Sequence, residues 1–181
     1  YNVAVNDLGN TVEHVIRQNN AINIYEDYFP EAVDSLIPQP HSARTISIFR
    51  DPNEVKRSAV FTSWYPDGPR KVAVAYAMTE FQNAPPNMSL DSYIWNLSNP
   101  NTPELTISPS SMLMCLEYNP KDVHVLLGGC YNGQIGMWDT RKGGRPVETT
   151  PIEKSHRDPV YRTRWLQSKT GTEAFSCSTD G

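Results

Sequence analysis

The stretch Leu126–Gly144, LLGGCYNGQIGMWDTRKGG, decides between a protein that cradles a phosphate and one built of sheet. A phosphate loop needs Gly, four residues, Gly, then Lys and Ser or Thr. The lysine neutralises phosphate charge and the hydroxyl holds magnesium. Gly128 and Gly133 have the spacing, but Gln134 and Ile135 follow, so the charge and the metal ligand are both missing. A dinucleotide fingerprint fails as well, because these glycines do not open a helix with an acidic residue about twenty positions on. The other reading is a hairpin. Val123–Cys130 is an aliphatic and β-branched run, and Asn132-Gly133 is a dipeptide suited to the positive φ angles of a tight turn. Gln134–Asp139 then alternates polar and apolar, as a strand does. Glycines inside the first strand let something large pack close to its backbone.

Composition agrees with short strands. The 181 residues suffice for one substantial domain, with 15 prolines and 10 glycines and no long amphipathic helical run in the second half. A net charge of -4 argues against nucleic acid as a partner, since such binders show a basic face. The longest apolar stretch, Val72–Met78, is far below the roughly 18 to 20 residues that cross a bilayer, so no membrane partner is expected. The opening YNVAVNDLGN lacks the basic head and apolar centre of a secretory signal. Cys115, Cys130 and Cys177 form no Cys-x-x-Cys pair, and His14, His41, His124 and His156 do not sit at ligand spacing from them. No metal or cofactor is expected. The three thiols read as small buried side chains in a reducing, cytosolic compartment.

The chain repeats itself. DSYIWNL (Asp91–Leu97) and GQIGMWDT (Gly133–Thr140) share an ending whose tryptophans lie 43 residues apart. AVFTSWYPDG, LMCLEYNPKD and VYRTRWLQSKTG align as strands leading into turns, with Trp64, Tyr118 and Trp165 at matching positions. Their intervals are 54 and 47 residues, the longer one containing an insertion, Thr79–Leu90. FSCSTDG (Phe175–Gly181) repeats LGGCYNG (Leu127–Gly133). The period is that of WD repeats, about 40 to 45 residues. Four-stranded blades follow. Strand a is expected at Ala59–Ser63, Met112–Tyr118 and Val160–Trp165, and strand b at Lys71–Tyr76, Val123–Cys130 and Glu173–Ser178. Strand c is expected at Ser92–Asn96 and Gln134–Asp139, and strand d at Glu104–Ile107 and Pro146–Thr150.

The fold class is therefore all-β, an incomplete propeller of about two full blades plus parts. Residues 44–58 give a lead-in strand, 59–108 and 109–151 the blades, and 152–181 a truncated blade. A ring closes with about four to eight blades, so the functional molecule is expected to be longer in both directions. These units resemble the WD-repeat family. There a His before strand a, a Ser or Thr on strand b, an Asp in the b–c turn and a Trp on strand c tie the blade together. The resemblance assigns His156, Ser176 or Ser178, and Asp180 to that set in the last unit. It leaves Trp138, with Asp139 beside it and Asn132 in the turn, in the middle unit, and Trp95 in the first. These residues are then structural, not catalytic, since catalysis would need a nucleophile with its own base and oxyanion donors.

Residues 1–43 differ, reading as a helical and extended segment with a proline-containing linker. Asn10 with Glu13 suggests a helix cap, followed by Val12, Val15 and Ile16 at helical spacing. RTISIF (Arg44–Phe49) reads as a strand that could complete the last blade of a closed ring.

RQNNAINIYEDYF, SIFRDPNEVKRSA, MSLDSYIWNLSNPNTPEL, NPKDVHVLLGGCYNGQIGMWDTRKG and SHRDPVYRTRWLQSKTGTE together resemble the intermediate chains of axonemal, outer-arm dynein, over nearly the whole chain. That resemblance implies a scaffold rather than an enzyme. Its propeller would hold a dynein heavy-chain tail, and it would pair with a second intermediate chain and carry light chains. It would seat the motor on a doublet microtubule, indirectly, in the cytoplasm and the ciliary or flagellar axoneme. Candidate partner contacts are Tyr25, Tyr28 and Phe29 in the N-terminal segment, because aromatic anchors dominate interface energetics. Phe81 and Met88 in the insertion are further candidates, or else they fold back over a blade edge. Arg141 and Lys142, with Arg145, could meet an acidic surface or form a solvated turn. A WD scaffold of another complex, a transport adaptor or ligase substrate receptor, would share the blades but not NAINIYEDYF and WLQSKTGTE.

Overall fold

A computed structural model describes residues 2–23, 25, 26, 28, 41–80 and 84–181. The chain divides into two compact units, Tyr1–Arg44 and Thr45–Gly181. Among the described residues of the first is the helix α1 (Asn2–Ala21). It begins well before the cap expected at Asn10, which instead lies inside it. The apolar spacing extends backward through Leu8 and Val5 from Val12 and Val15, and that longer stripe outweighs the local cap signal. Glu13 and Arg17, one turn apart at 2.6 Å, add a modest surface pair. Past the helix, Asn23 organises a turn, accepting from the Tyr25 amide at 3.1 Å.

The second unit is all-β. Its first blade is the antiparallel sheet β1 (Ser58–Trp64), β2 (Lys71–Ala77), β3 (Ser92–Asn96) and β4 (Leu105–Ile107), in that order. The second is β5 (Leu113–Tyr118), β6 (Val125–Cys130), β7 (Ile135–Asp139) and β8 (Glu148–Thr149). A third sheet pairs β9 (Val160–Trp165) with β10 (Ala174–Ser178). This is a partial WD40 propeller. The three a–b pairs share one irregularity: the register shifts between Ala59 and Phe61, between Leu113 and Cys115, and between Cys177 and Ser178. Residue-by-residue equivalence follows. Trp64, Tyr118 and Trp165 correspond, opposite Val72, Leu126 and Ala174, and Val74, Gly128 and Ser176 correspond on strand b.

The core lies between blades. Ala73, Ala75, Ile94 and Ile107 of the first blade pack with Leu113, Leu116, Leu126 and Trp138 of the second. On the other face of the first blade, Val72, Val74, Tyr76, Tyr93 and Trp95 form a second cluster, joined by Phe49. β2 therefore buries both faces, which is why KVAVAYA reads as nearly continuous apolar sequence. Each large side chain so buried contributes on the order of 1.5–3 kcal/mol, too little for one blade alone. Side chains on strand a link successive blades. Ser63 accepts from the Tyr118 amide at 3.2 Å, and its equivalent Glu117 accepts from the Trp165 amide at 3.2 Å.

Four expectations are corrected. Residues 44–57 form no strand, because no described residue pairs with their backbone; Ile46 is 94% exposed, although Phe49 stacks 5.5 Å from Trp95. Cys177 is exposed, unlike Cys115 and Cys130, since β10 pairs on one edge only among the described residues. The hairpin at Asn132-Gly133 is present, but Tyr131 joins its turn. The Cys130 carbonyl accepts from the Gly133 amide at 3.2 Å, and only then does Gly133 turn left-handed, at φ 85°. β6 also starts late, at Val125, because Asp122 and Val125 close a turn across Val123 and His124.

Candidate functional site

The polar groups that a binding or catalytic protein would present are gathered where each blade's strand a begins. In the third blade His156 lies between two partners. Its Nδ1 is 2.9 Å from Asp180 Oδ1 and its Nε2 is 2.9 Å from Ser176 Oγ. The other Asp180 oxygen accepts the Arg157 amide at 2.8 Å. That backbone bond, then His156, holds the Asp180 carboxyl below the usual range. Ser178, the other serine considered, donates instead to the Pro159 carbonyl at 2.9 Å. Both ring nitrogens of His156 are thus committed inside the blade. Its loop sits hard against the second blade, with the His156 amide donating to the Gly133 carbonyl at 3.1 Å. A Cβ on Gly133 would fall 1.9 Å from the His156 carbonyl oxygen, so only glycine fits.

The second blade has no histidine ahead of its first strand and uses amides there. Ser110 Oγ donates to Gln134 Oε1 at 3.3 Å, Asn132 Nδ2 to the same oxygen at 2.7 Å, and Gln134 Nε2 to the Thr150 carbonyl at 2.9 Å. Gly128 stands where the third blade has Ser176, so a hydroxyl is missing there, and the buried Trp138 indole nitrogen has no hydrogen-bond partner. The ring is fixed by close packing, since a Cβ on Gly136 would lie 2.5 Å from it. Asp139 turns outward and takes a fork from Arg141 at 2.8 Å to each oxygen. That fork lowers the Asp139 carboxyl to about 2 and raises the guanidinium.

The first blade holds a cluster that the sequence reading missed. The Arg57 side chain is 0% exposed and faces Asp51, itself 7% exposed. Its Nε and Nη2 donate to the two Asp51 oxygens at 2.8 and 3.0 Å, while Nη1 donates to the carbonyls of Ser89 and Asp91 at 2.8 and 2.6 Å. The guanidinium carbon lies 5.2 Å from the Tyr76 ring centroid and 5.7 Å from that of Tyr93. Asn53 joins Asp51 to the Tyr93 hydroxyl, at 2.7 Å to each. Burial opposes charge on both members, but the mutual hydrogen bonds prevail, lowering the Asp51 pKa and raising that of Arg57. Trp95 is buried in the neighbouring stack without a hydrogen-bond partner for its indole nitrogen. The available signal was an Arg directly before a strand with an Asp-Pro-Asn turn six residues earlier.

The candidate partner contacts are divided between the two units. Tyr25 is 93% exposed, and Tyr28, 52% exposed, accepts the Asn23 amide at 2.9 Å through its hydroxyl. Phe29 and Phe81 lie outside the described residues. Met88 is half-buried on the exit limb of the insertion, just after a turn closed by its amide to the Pro85 carbonyl at 3.1 Å. Arg141 is engaged by Asp139 and by Asp122 at 3.1 Å, whereas Lys142 and Arg145 point to solvent. A cleft of about 340 Å³ beside Arg141 runs between the first two blades, and its Lys71 is paired with Glu104. Among the described residues no group of three or more His, Cys, Asp or Glu could hold a metal, and no helix is long and apolar enough to cross a membrane.

The family described as the dynein axonemal intermediate chain 3 WD40 domain matches residues 53–174. Dynein axonemal intermediate chain 2 of Xenopus laevis is 63% identical over 181 residues, covering 99% of this chain and 31% of that protein. The ciliary dynein intermediate chain 3 of Heliocidaris crassispina is 60% identical over 181 residues, 100% of this chain and 30% of its own length. The 70 kDa intermediate chain of the flagellar outer arm of Chlamydomonas reinhardtii is 51% identical over 176 residues, covering 96% and 31%. The chain thus spans about a third of the length of these relatives.

Proposed function

Since this chain belongs to the WD40-domain family of axonemal dynein intermediate chains, we propose that it is part of a non-catalytic scaffold subunit of an outer dynein arm. In this reading the propeller holds a dynein heavy-chain tail. The subunit pairs with a second intermediate chain, carries light chains, and seats the motor on the doublet microtubule of a cilium or flagellum. The observation that carries it is the commitment of polar groups to the blades themselves. Both nitrogens of His156 are occupied by Ser176 and Asp180, and Arg57 is sealed against Asp51. Groups spent on rigidity leave a stiff body whose loops are free for recognition.

On this reading Tyr25, Tyr28 and Phe29 anchor the N-terminal segment on a partner, and Phe81 and Met88 do so from the insertion. Lys142, with Arg145, supplies positive charge at a turn that Arg141 stiffens through Asp139. His156, Ser176, Asp180, Trp95 and Trp138 serve blade structure, as does Ser178 through the Pro159 carbonyl, and Asp139 holds the turn of Arg141. The test is affinity purification of the full-length protein from a high-salt axonemal extract, with cross-linked positions mapped. Recovery of a heavy chain and a second intermediate chain, cross-linked near Tyr28 or Met88, is the expected result. Recovery of neither from an extract containing intact outer arms refutes the reading.

A further inference from the structure

The three blades solve one mechanical problem in three ways. In the third, His156, four residues before Val160 of β9, reaches strand b at Ser176 and the b–c turn at Asp180. In the first, Arg57, two residues before the equivalent Ala59 of β1, reaches strand b through the Tyr76 ring and the b–c connection through Ser89 and Asp91. The difference lies in what the connection contains. In the third blade Asp180 is a turn residue only two positions beyond β10. In the first, residues 78–91 separate β2 from β3, and their return to the sheet is where Arg57 takes hold.

We propose that Arg57 is the positioning residue of the insertion: it fastens the exit limb that carries Met88 to the first blade, so that the loop is presented in one orientation. A histidine would not serve, because its two nitrogens cannot grip a carboxylate and two carbonyls together, whereas the guanidinium has five donors in a planar fork. Asp51 keeps that fork aimed. Its carboxylate takes Nε and Nη2, which leaves Nη1 directed at the Ser89 and Asp91 carbonyls. The Asp91 side chain then fixes the limb a second time, accepting Ser89 Oγ at 3.1 Å and Ser108 Oγ at 2.8 Å. One buried cation therefore holds the segment leading into the propeller and the end of the insertion on the same sheet edge.

The functional consequence rests on the reading that the insertion touches a dynein partner. Arg57→Ala would leave Asp51 buried and unpaired, so the informative variant of the full-length protein is Arg57→Lys, which keeps the charge but not the fork. Amide hydrogen exchange should quicken about tenfold over residues 84–91 while β5–β7 exchange as in the parent. Unchanged exchange at 84–91, or an equal rise across both regions, overturns the positioning role. Heavy-chain capture from axonemal extract is read in parallel for Arg57→Lys and for a variant with residues 84–88 replaced by Gly-Ser. Local quickening with weakened capture in both variants supports positioning and the partner reading together. Local quickening with full capture in both leaves positioning standing and removes the insertion as a partner contact.

Discussion

Gly133→Ala tests whether the blades are locked through one another. The site has two separable demands. Its φ of 85° is left-handed, which costs an alanine about 1–2 kcal/mol wherever it occurs. In addition, the new Cβ would lie 1.9 Å from the His156 carbonyl oxygen and 2.6 Å from its carbon, so that loop must retreat by more than an ångström. Retreat breaks the 3.1 Å bond from the His156 amide and draws the imidazole from Ser176 and Asp180, each at 2.9 Å. Hydrogen bonds of this kind contribute roughly 0.5–1.5 kcal/mol apiece, so the steric part adds about 1.5–4.5 kcal/mol. Gly143 is the control: its φ is 102°, and nothing lies within 4 Å of a Cβ there. Gly143→Ala carries only the conformational cost. Amide exchange over β9 and β10 should therefore be at least about tenfold faster in Gly133→Ala than in Gly143→Ala, tenfold being about 1.4 kcal/mol. Equal protection in the two variants would refute the interlocking of the second and third blades.

Leu116→Ala empties a fully buried position between blades and should cost about 2.7–5 kcal/mol, read as a lowered midpoint in chemical denaturation. Trp138→Phe should cost less than Trp138→Leu, because the phenyl retains the packing over Gly136 and removes an indole N–H that has no partner; melting temperatures rank the two. The folded pKa of Asp139 lies below its unfolded value, so its contribution is present above about pH 4 and lost as pH falls toward 2. Asp139→Asn should thus destabilise near neutrality and match the parent near pH 2 in urea titrations. Native alkylation should label Cys177 first. Burial pushes the Cys130 thiol up to about 11 and also raises that of Cys115, so these two should react only at the rate of opening, which mass spectrometry of timed quenches would show.

The strands were legible in the sequence because alternation and turn chemistry are local. Ser92–Asn96 and Val160–Trp165 match their expected bounds, and the others shift by a few residues at most. What was not legible depended on register or distance. Ser176 and Ser178 lie two apart, which in a regular strand puts both on one face. They do share a face, both half-buried, but the extra residue on β9, Tyr161, brings Ser178 opposite Val160 and its hydroxyl goes to the Pro159 carbonyl, so only Ser176 meets His156. No residue type announces such a bulge. Arg57 is invisible for a different reason. Asp51, Tyr76, Ser89, Asp91 and Tyr93 converge on it from three segments, and a lone arginine before a strand reads as a solvated charge. Ile46 and Ile48 misled in the opposite sense, since β-branched residues favour a strand but cannot supply a partner.

The unequal locks bear on why the WD pattern is faint in two of these blades. The requirement common to all three is that the segment ahead of strand a be tied to the connection between strands b and c. A His–Asp pair, a Ser–Gln–Asn chain and the Arg57 guanidinium on the Ser89 and Asp91 carbonyls each do so. The buried tryptophans of the first and second blades have no hydroxyl at the position where the third carries Ser176. Val74 and Gly128 stand at the serine position, so the ring is retained for its packing rather than for its N–H. Hydrogen-bonded sets can thus be exchanged while the shape of the blade is kept, because burial between blades carries most of the energy and the polar set fixes geometry. Where the tie also has to hold an insertion, as at residues 78–91, the group with the most donors is the one found.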